Sequence, residues 1–467
     1  MSAFTAEASA ALDGPDWLVR RRAAAWERLE GESFPTEAEE IWRYSGIDDF
    51  DLGAFAPVDH PPPTRHAGPA EAVLARARTL ADALGERGVL VVTRNGVVAS
   101  IETADESTEG AVSVTSARAS VRDSAELPGA RPTTEILGEL APARDAFGEL
   151  HDAFLADVVR VAVADKAVLA GPVVVVHVVD TEVRTSPAVA CFPHTLVQLG
   201  ASAEAGVIEL VVGADVDPAL VVPVTELAVA DNAHLRYASL QVLGPGATSI
   251  GLQASRVGRD ASLRSFTAGL GGAYARVRTD SDLVGQSGRT QLLAAYLGTS
   301  SQVHDFRTLQ DHHAPHTESE LLFKGAVADT ARSVYSGLIR IRKGARGSDA
   351  FQTNHNLVLS EGAHADSVPN LDIDENDVRC SHASTVGPID EEQRYYLETR
   401  GIEPAVAERL VVLGFFSDLA RRAPFPGAGS WVDGVVARHL AGRLPAEVAE
   451  VAGDREGSDA RGGAGRG

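Results

Sequence analysis

Cys380 and His382 stand two positions apart at the end of the strand-like segment LDIDENDVRC. Residues two apart on a strand point to the same face, about 7 Å from one another, so the thiol and the imidazole would project together. That pairing suits metal chemistry: thiolates are the usual ligands of iron–sulfur clusters, and histidine replaces cysteine in some of them. The same spacing also fits a small buried thiol next to a surface imidazole. A count of ligands narrows the functional case. A cluster takes about four protein ligands, and this chain has two cysteines, Cys191 and Cys380, 189 positions apart. If Cys380 and His382 touch a cluster, the other ligands come from a second chain, which makes the site one shared at a subunit interface.

A second group is Asp311-His312-His313-Ala314-Pro315-His316, with Glu318 and Glu320 close behind and His304-Asp305 just upstream. Three histidines within five residues could hold zinc. Pro315 works against a regular helix, and the spacing fits no standard zinc motif, so a polar loop between strands is the favoured reading of the group. Other chemistries lack their motifs. The chain has no G-x-x-x-x-G-K-[ST] phosphate loop, no G-x-S-x-G elbow and no C-x-x-C pair. Gly269, Gly271 and Gly272 cluster without an amphipathic helix behind them. The acidic run Asp372, Asp374, Glu375 and Asp377 reads as a solvated edge or turn.

The elements that must position these residues follow from patterning. Among 467 residues, 44% are apolar and only 5% aromatic, which predicts a core of Val, Leu, Ile and Ala. The first ~90 residues read as helical. Val19, Ala23, Trp26 and Leu29 share one face, and Val73, Ala77, Leu80 and Leu84 share another, with Pro61-Pro62-Pro63 as a rigid break between them. VLVVTRNGVV predicts a hairpin turning at Asn95-Gly96. Residues 101–130 read as loop or weak strand, and a short helix is expected over 143–156. From PVVVVHVV (172–179) onward, short β-type segments succeed one another for about 200 residues. A sandwich and a parallel β-helix both fit this run. Ala233-His234-Leu235-Arg236 and Ala261-Ser262-Leu263-Arg264 echo each other 28 residues apart, a plausible coil length. Helices return near 391. Pro404 suits a first turn, with Val412, Phe415, Phe416 and Leu419 along one side, and Pro424 stops the helix; Val432, Val436, Leu440 and Leu444 mark another.

Net charge is −23. So acidic a surface repels phosphate backbones and anionic headgroups, so neither nucleic acid nor membrane is an expected partner. Arg340, Arg342, Lys343 and Arg346 are the one local basic patch of note. No run of ~18 apolar residues predicts a membrane span. Two cysteines and no secretory pattern in MSAFTAEASAALDG point to a cytoplasmic setting.

The segment Thr317–Ile402, from TESELLFKGAV through NHNLVLSEGAHADSVPNLDIDENDVRCSHASTVGPIDEEQRYYLETRGI, closely resembles the SufB/SufD family. Val378-Arg379-Cys380-Ser381-His382, Thr385-Val386-Gly387 and Asp390-Glu391-Glu392 resemble the SufD branch. Phe34-Pro35-Thr36 and Glu40-Ile41-Trp42-Arg43-Tyr44 resemble the family's N-terminal helical domain. Good matches cover about a third of the chain. His355 and Asn370 depart from the usual pattern of the SufD branch. The resemblance implies a mainly β fold, a right-handed parallel β-helix between helical domains. The expected division is a helical domain with a short β segment at 1–130, the β-helix at 131–390, C-terminal helices at 391–450 and a disordered tail at 451–467. It implies a non-enzymatic scaffold for a transient iron–sulfur cluster, with no tightly bound cofactor, acting with a SufB-like paralogue and a SufC-like ABC ATPase. Cys380 and His382 then become the cluster-assembly or sulfur-relay residues and metal ligands. Val412, Phe415, Phe416 and Leu419 become the ATPase-docking residues. An intracellular carbohydrate-active β-helix enzyme, or a zinc protein built on His312, His313 and His316, is the alternative.

Overall fold

The computed structural model describes residues 3–58, 69–103, 110–118, 127, 130–182, 186–213 and 217–441. The Pro61-Pro62-Pro63 break, Leu444 and the 451–467 tail lie outside them. From Val159 onward the strands are shared between two facing sheets and pair in parallel with strands of the neighbouring coils. This is a parallel β-helix of about seven turns. The echo at 233 and 261 is a true stack, because His234 pairs with Ser262 and Leu235 with Leu263. Antiparallel pairing occurs where the helix starts. Val89–Arg94 and Val97–Thr103 form the expected hairpin, with Asn95 (φ 51°) and Gly96 (φ 86°) both left-handed, as a tight two-residue turn requires. Val112–Ser116 pairs with Val159–Val163, so part of the 101–130 stretch is indeed strand.

Side chains alternate between the bore and the outside. Val91, Val175, Val207, Leu235 and Leu263 fill the bore; Leu90, Val174, Ile208 and Ala238 point outward and are covered by helices. One corner of five successive coils is turned by a left-handed residue: Ser202, Asn232, Asp260, Ser287 and His316, with φ between 55° and 59°. Each donates its N–H to a carbonyl of the next coil (Asp231, Arg259, Gln286, Pro315 and Arg346), which locks coil to coil at the corner.

Helices close the flanks. Pro404–Ala420, with Pro404 in its first turn, and Pro426–Ala441 lie on the outer face of one sheet. Lys324, on that sheet, donates to Phe415 O (3.1 Å) and Asp418 (2.8 Å), tying the first of these helices down. The N-terminal helix Asp16–Leu29 buries Leu18, Arg22, Ala25 and Leu29. Its buried stripe is thus offset from the expected one: Val19 faces solvent, because Arg22 turns inward to donate to the Leu155 carbonyl. The Glu40–Tyr44 motif is held by the β-helix. The Arg276 guanidinium stacks on Trp42 at 3.7 Å and donates to Ile41 O, while Arg307 donates to Arg43 O. Asp305, wholly buried, accepts from both arginines and offsets part of their charge.

Candidate functional site

Among the described residues, the β-helix stops without a cap on the bore. The last strand of one sheet is His364–Ile373, paired to Arg332–Ile341 alone; the last strand of the other is Arg379–Gly387, paired to Asp349–Val358 alone. In the coil beneath, Ala350, Gln352, Asn354 and Asn356 are the buried, bore-facing positions. Parallel register stacks Cys380 on Ala350, His382 on Gln352, Ser384 on Asn354 and Val386 on Asn356. Cys380 and His382 therefore share the inner face of an edge strand, as the period of two predicts. No further coil among the described residues covers them. Leu371, Ile373 and Val386, which would be core one coil earlier, are exposed here.

The two ligand candidates differ in setting. Cys380 is half-buried, packed with Val378 against Ile339, Ile341, Ala345 and Ala350. Burial, with the Asp349 carboxylate as a lesser cause, pushes its thiol up to about 11. His382 is exposed. Within the isolated chain, then, Cys380 is a protonated thiol, and a bound metal ion or a partner's cationic group must drive off its proton. Cys191 is fully buried and its thiol is raised to about 12 by burial, which makes it an inert core residue.

The three clustered histidines diverge. His312 points into the bore, where its ring nitrogens meet the Thr317 and Ser319 hydroxyls at 2.8 Å each. His316 is the left-handed corner residue of its coil. Only His313 faces other donors, lying 3.4 Å from Asp311 and 3.8 Å from Asp282. Asp311 is already held through both oxygens by Arg342, so the group forms an ion-pair ladder on the outer wall. The zinc reading that needed all three rings together is thus corrected: His312 ends a strand facing the bore, His313 follows it onto the outer wall, and His316 turns the corner. The basic patch is likewise partly neutralised, as Arg340 pairs with Asp372 at 2.9 Å. His304 sits fully buried in the bore, its imidazole lowered to about 4 by burial.

The docking stripe also needs correction. Val412, Phe416 and Leu419 are 1%, 1% and 0% exposed and pack on the chain's own core, while Phe415 is half-buried under Lys324. An apolar helix stripe more often faces its own sheet than a partner, and this one does. The exposed apolar residues nearby are Tyr395, Tyr396 and Leu410. Tyr396 and Leu410 line a groove with Leu357, Leu397 and Phe415.

Two buried polar clusters lay outside the sequence reading. In the bore, Glu209 accepts from His177 Nε2 (2.8 Å), Thr195 Oγ1 (2.6 Å), Thr225 Oγ1 (2.9 Å) and the Tyr237 hydroxyl. At the joint with the N-terminal helices, His151 contacts the Val222 carbonyl at 2.7 Å and His194 at 3.0 Å. His194 in turn lies 3.1 Å from Glu226, which also accepts three backbone N–H groups. A lone Glu in GVIELVV and a lone His in PVVVVHVV were the available signals, since an ionisable residue inside a buried strand implies a partner.

The long segment that carries Cys380 and His382 also matches, from 182 to 415 and thus over half of the chain, a family model described as the SufBD core domain of the SUF system of iron–sulfur cluster assembly. The chain belongs to the SufBD family. It is similar to an iron–sulfur cluster assembly SufBD family protein of Mycobacterium tuberculosis, with 38% identity over 209 residues, 43% of this chain and 53% of the relative. It is similar to the iron–sulfur cluster assembly protein SufD of Escherichia coli, with 30% identity over 275 residues, 59% of this chain and 65% of the relative. SufD of Bacillus subtilis is 30% identical over 218 residues, 46% of this chain and 50% of the relative. The matches thus span about half to two thirds of the length of these curated relatives. No helix among the described residues is long and apolar enough to cross a membrane.

Proposed function

We propose that this chain is a SufD-type scaffold subunit that helps hold a nascent iron–sulfur cluster at the open end of its β-helix. One observation carries the reading: Cys380 and His382 lie side by side on the inner face of a terminal strand with a single neighbour. Two ligands fall short of a cluster's usual four, and the bore ends uncapped where they stand. A second chain that continues the stack supplies the missing ligands and covers Leu371, Ile373 and Val386. In this reading, which the family resemblance supports, that chain is a SufB-like paralogue in the cytoplasm and the energy source a SufC-like ABC ATPase. Here the cluster is cargo, with no cofactor retained. Cys380, freed of its proton by iron, supplies sulfur coordination, and His382 supplies an iron ligand. ATPase docking falls on the groove formed by Tyr396, Leu410 and Phe415, with Tyr395 beside it. The buried residues behind it transmit movement to the sheet.

The test is anaerobic reconstitution with the paralogue and the ATPase, followed by the visible absorption of the assembled cluster. Cys380→Ala and His382→Ala are each expected to form the complex and lose most of the cluster. Normal cluster yield from both variants refutes the assignment.

A further inference from the structure

The strand that carries Cys380 and His382 has little of what normally fixes strand register. Register is set where one face is buried, and a slip of one residue exchanges the two faces. None of the nine residues from Arg379 to Gly387 is buried, seven of them being exposed and Cys380 and Gly387 half-buried, and one edge of the strand is unpaired. A one-residue slip would turn Cys380 and His382 outward and bring Arg379 and Ser381 into the bore. Apolar anchoring is confined to the start of the strand, where Val378 and Cys380 touch the Ile339, Ile341, Ala345 and Ala350 cluster.

A chain of hydrogen bonds supplies the second anchor. It begins deep in the bore at Tyr296, whose hydroxyl donates to Asn356 Oδ1 (2.7 Å) and accepts from Asn354 Nδ2 (2.9 Å). Asn356 Nδ2 donates to Asn354 Oδ1 at 2.6 Å, and Ser367 Oγ donates to the same oxygen at 2.8 Å. Ser384 Oγ then donates to Ser367 Oγ at 2.7 Å. The chain crosses from the Asp349–Val358 strand to the facing His364–Ile373 strand and back to the terminal strand, ending two residues from His382. Tyr296, Asn354 and Asn356 are fully or almost fully buried, so this end of the chain is rigid. Gly325 makes room for it: a Cβ there would lie 1.9 Å from the Tyr296 ring and 2.6 Å from Asn356 Oδ1.

We propose that the Tyr296–Asn354–Asn356–Ser367–Ser384 chain is a polar clamp that sets the register of the terminal strand, with Ser384 and Ser367 as positioning residues that hold Cys380 and His382 inward. The functional half of this inference rests on the cluster-site reading above; the geometric half does not. The clamp is built from neutral groups, each of which finds a partner inside the bore, so it adds no buried charge beside the site. It supplies, at the one coil that must stay open, an anchor of the kind that apolar stacking such as Val175–Val207–Leu235–Leu263 gives to the early coils.

Two readouts on the full chain separate the two halves. The first is the rate of Cys380 alkylation by iodoacetamide, followed by mass spectrometry, with Cys191 as the inert internal reference. Ser384→Ala and Ser367→Ala remove a hydroxyl from the solvent-exposed part of the clamp and leave the core intact. Losing one link is expected to raise Cys380 alkylation about three- to tenfold with the urea midpoint unchanged. Ser384→Thr, which keeps the hydroxyl, is expected to restore the wild-type rate. An alkylation rate unchanged in Ser384→Ala overturns the clamp, as does a rise that Thr fails to reverse. The second readout is cluster yield in the reconstituted complex. A fall in Ser384→Ala, reversed in Ser384→Thr, is expected. Faster alkylation with undiminished yield overturns the positioning role in assembly. If wild-type yield is also indifferent to Cys380→Ala and His382→Ala, the fault lies in the site reading and the geometric result stands.

Discussion

The thiol of Cys380 offers the sharpest test of how the open end works. Its environment raises it from an ordinary 9.0 to about 11, burial first and the Asp349 carboxylate second. At pH 7.4 that leaves about one molecule in 4,000 as thiolate, against about one in 40 for the unperturbed group. The free chain is therefore a poor nucleophile and a poor ligand. Metal binding at Cys380 has to release a proton, and the affinity loss set by the shift is at most about a hundredfold, less after solvent screening at a half-exposed site. The assay is the alkylation rate of Cys380 between pH 7 and 11.5 at low salt. The rate in the isolated chain should keep climbing through pH 10 without a plateau. Asp349→Asn, which removes the smaller cause, should move the curve down by less than one unit. Adding the paralogue and iron should abolish alkylation at every pH. A plateau at or below pH 9 in the isolated chain would refute the argument, because it would require a cation near the sulfur that the structure does not place there.

Four other substitutions test the same packing. Burial alone would raise Glu209, but hydrogen bonds from His177, Thr195 and Tyr237 hold it below its usual value. A depressed carboxylate contributes stability that is present above its unfolded value of about 4.3 and is lost as pH falls through the folded one. Glu209→Gln, which imitates the protonated form, should cost about 2–4 kcal/mol in urea unfolding at pH 7, and the gap should close in acid; a gap independent of pH would contradict the assignment. Val412→Asp places a charge in the core and should destabilise by about 3–5 kcal/mol. Leu410→Asp, 44% exposed, should change stability by less than about 0.5 kcal/mol and weaken ATPase binding in a pull-down. The reverse pattern would move the docking face. Glu226→Gln should loosen the joint to the N-terminal helices, seen as faster hydrogen exchange across Ala146–Ala153 with the terminal strands unaffected.

Much of the fold was legible because a solenoid repeats its local logic. The Ala-His-Leu-Arg and Ala-Ser-Leu-Arg echo is a pair of stacked strands, and Asn95-Gly96 turns the hairpin it was expected to turn. The corner series Ser202, Asn232, Asp260, Ser287 and His316 was visible in principle as turn-prone residues at intervals of 27 to 30. It was obscured by its variety, since four residue types occupy the left-handed position. That variety also explains the misreading of His316, which looked like a ligand and is a corner. The Leu18 stripe was missed because a buried Arg22 breaks the apolar pattern on which helix faces are read. The shared face of Cys380 and His382 was legible from period two alone. The raised thiol was not, because it depends on Ile339, Ile341 and Asp349 from other strands.

On the proposed reading, the open end explains why a site of this kind belongs on the last coil. One coil earlier, the equivalents of Cys380 and His382 are Ala350 and Gln352, 1% and 0% exposed, with no path for a metal. A site there would have to displace the core. On the last coil the inner wall is reachable, but Leu371, Ile373 and Val386 then lie bare next to two unpaired strand edges, a surface that invites continuation by another chain. Reachability and the need for a cover are therefore the same structural fact. A second β-helical chain that completes the stack would bury that surface, bring its own ligands to within reach of Cys380 and His382, and lower the dielectric around whatever they hold. Losing the partner would expose cargo and apolar wall together. Mutations that merely strengthen the edge by added apolar bulk, such as Ser381→Val on the outer face, should therefore leave the ligand pair inward and cluster yield intact. The same bulk placed on the inner face, as in Ser384→Val, should break the Ser367 contact and lower cluster yield even where the complex still assembles.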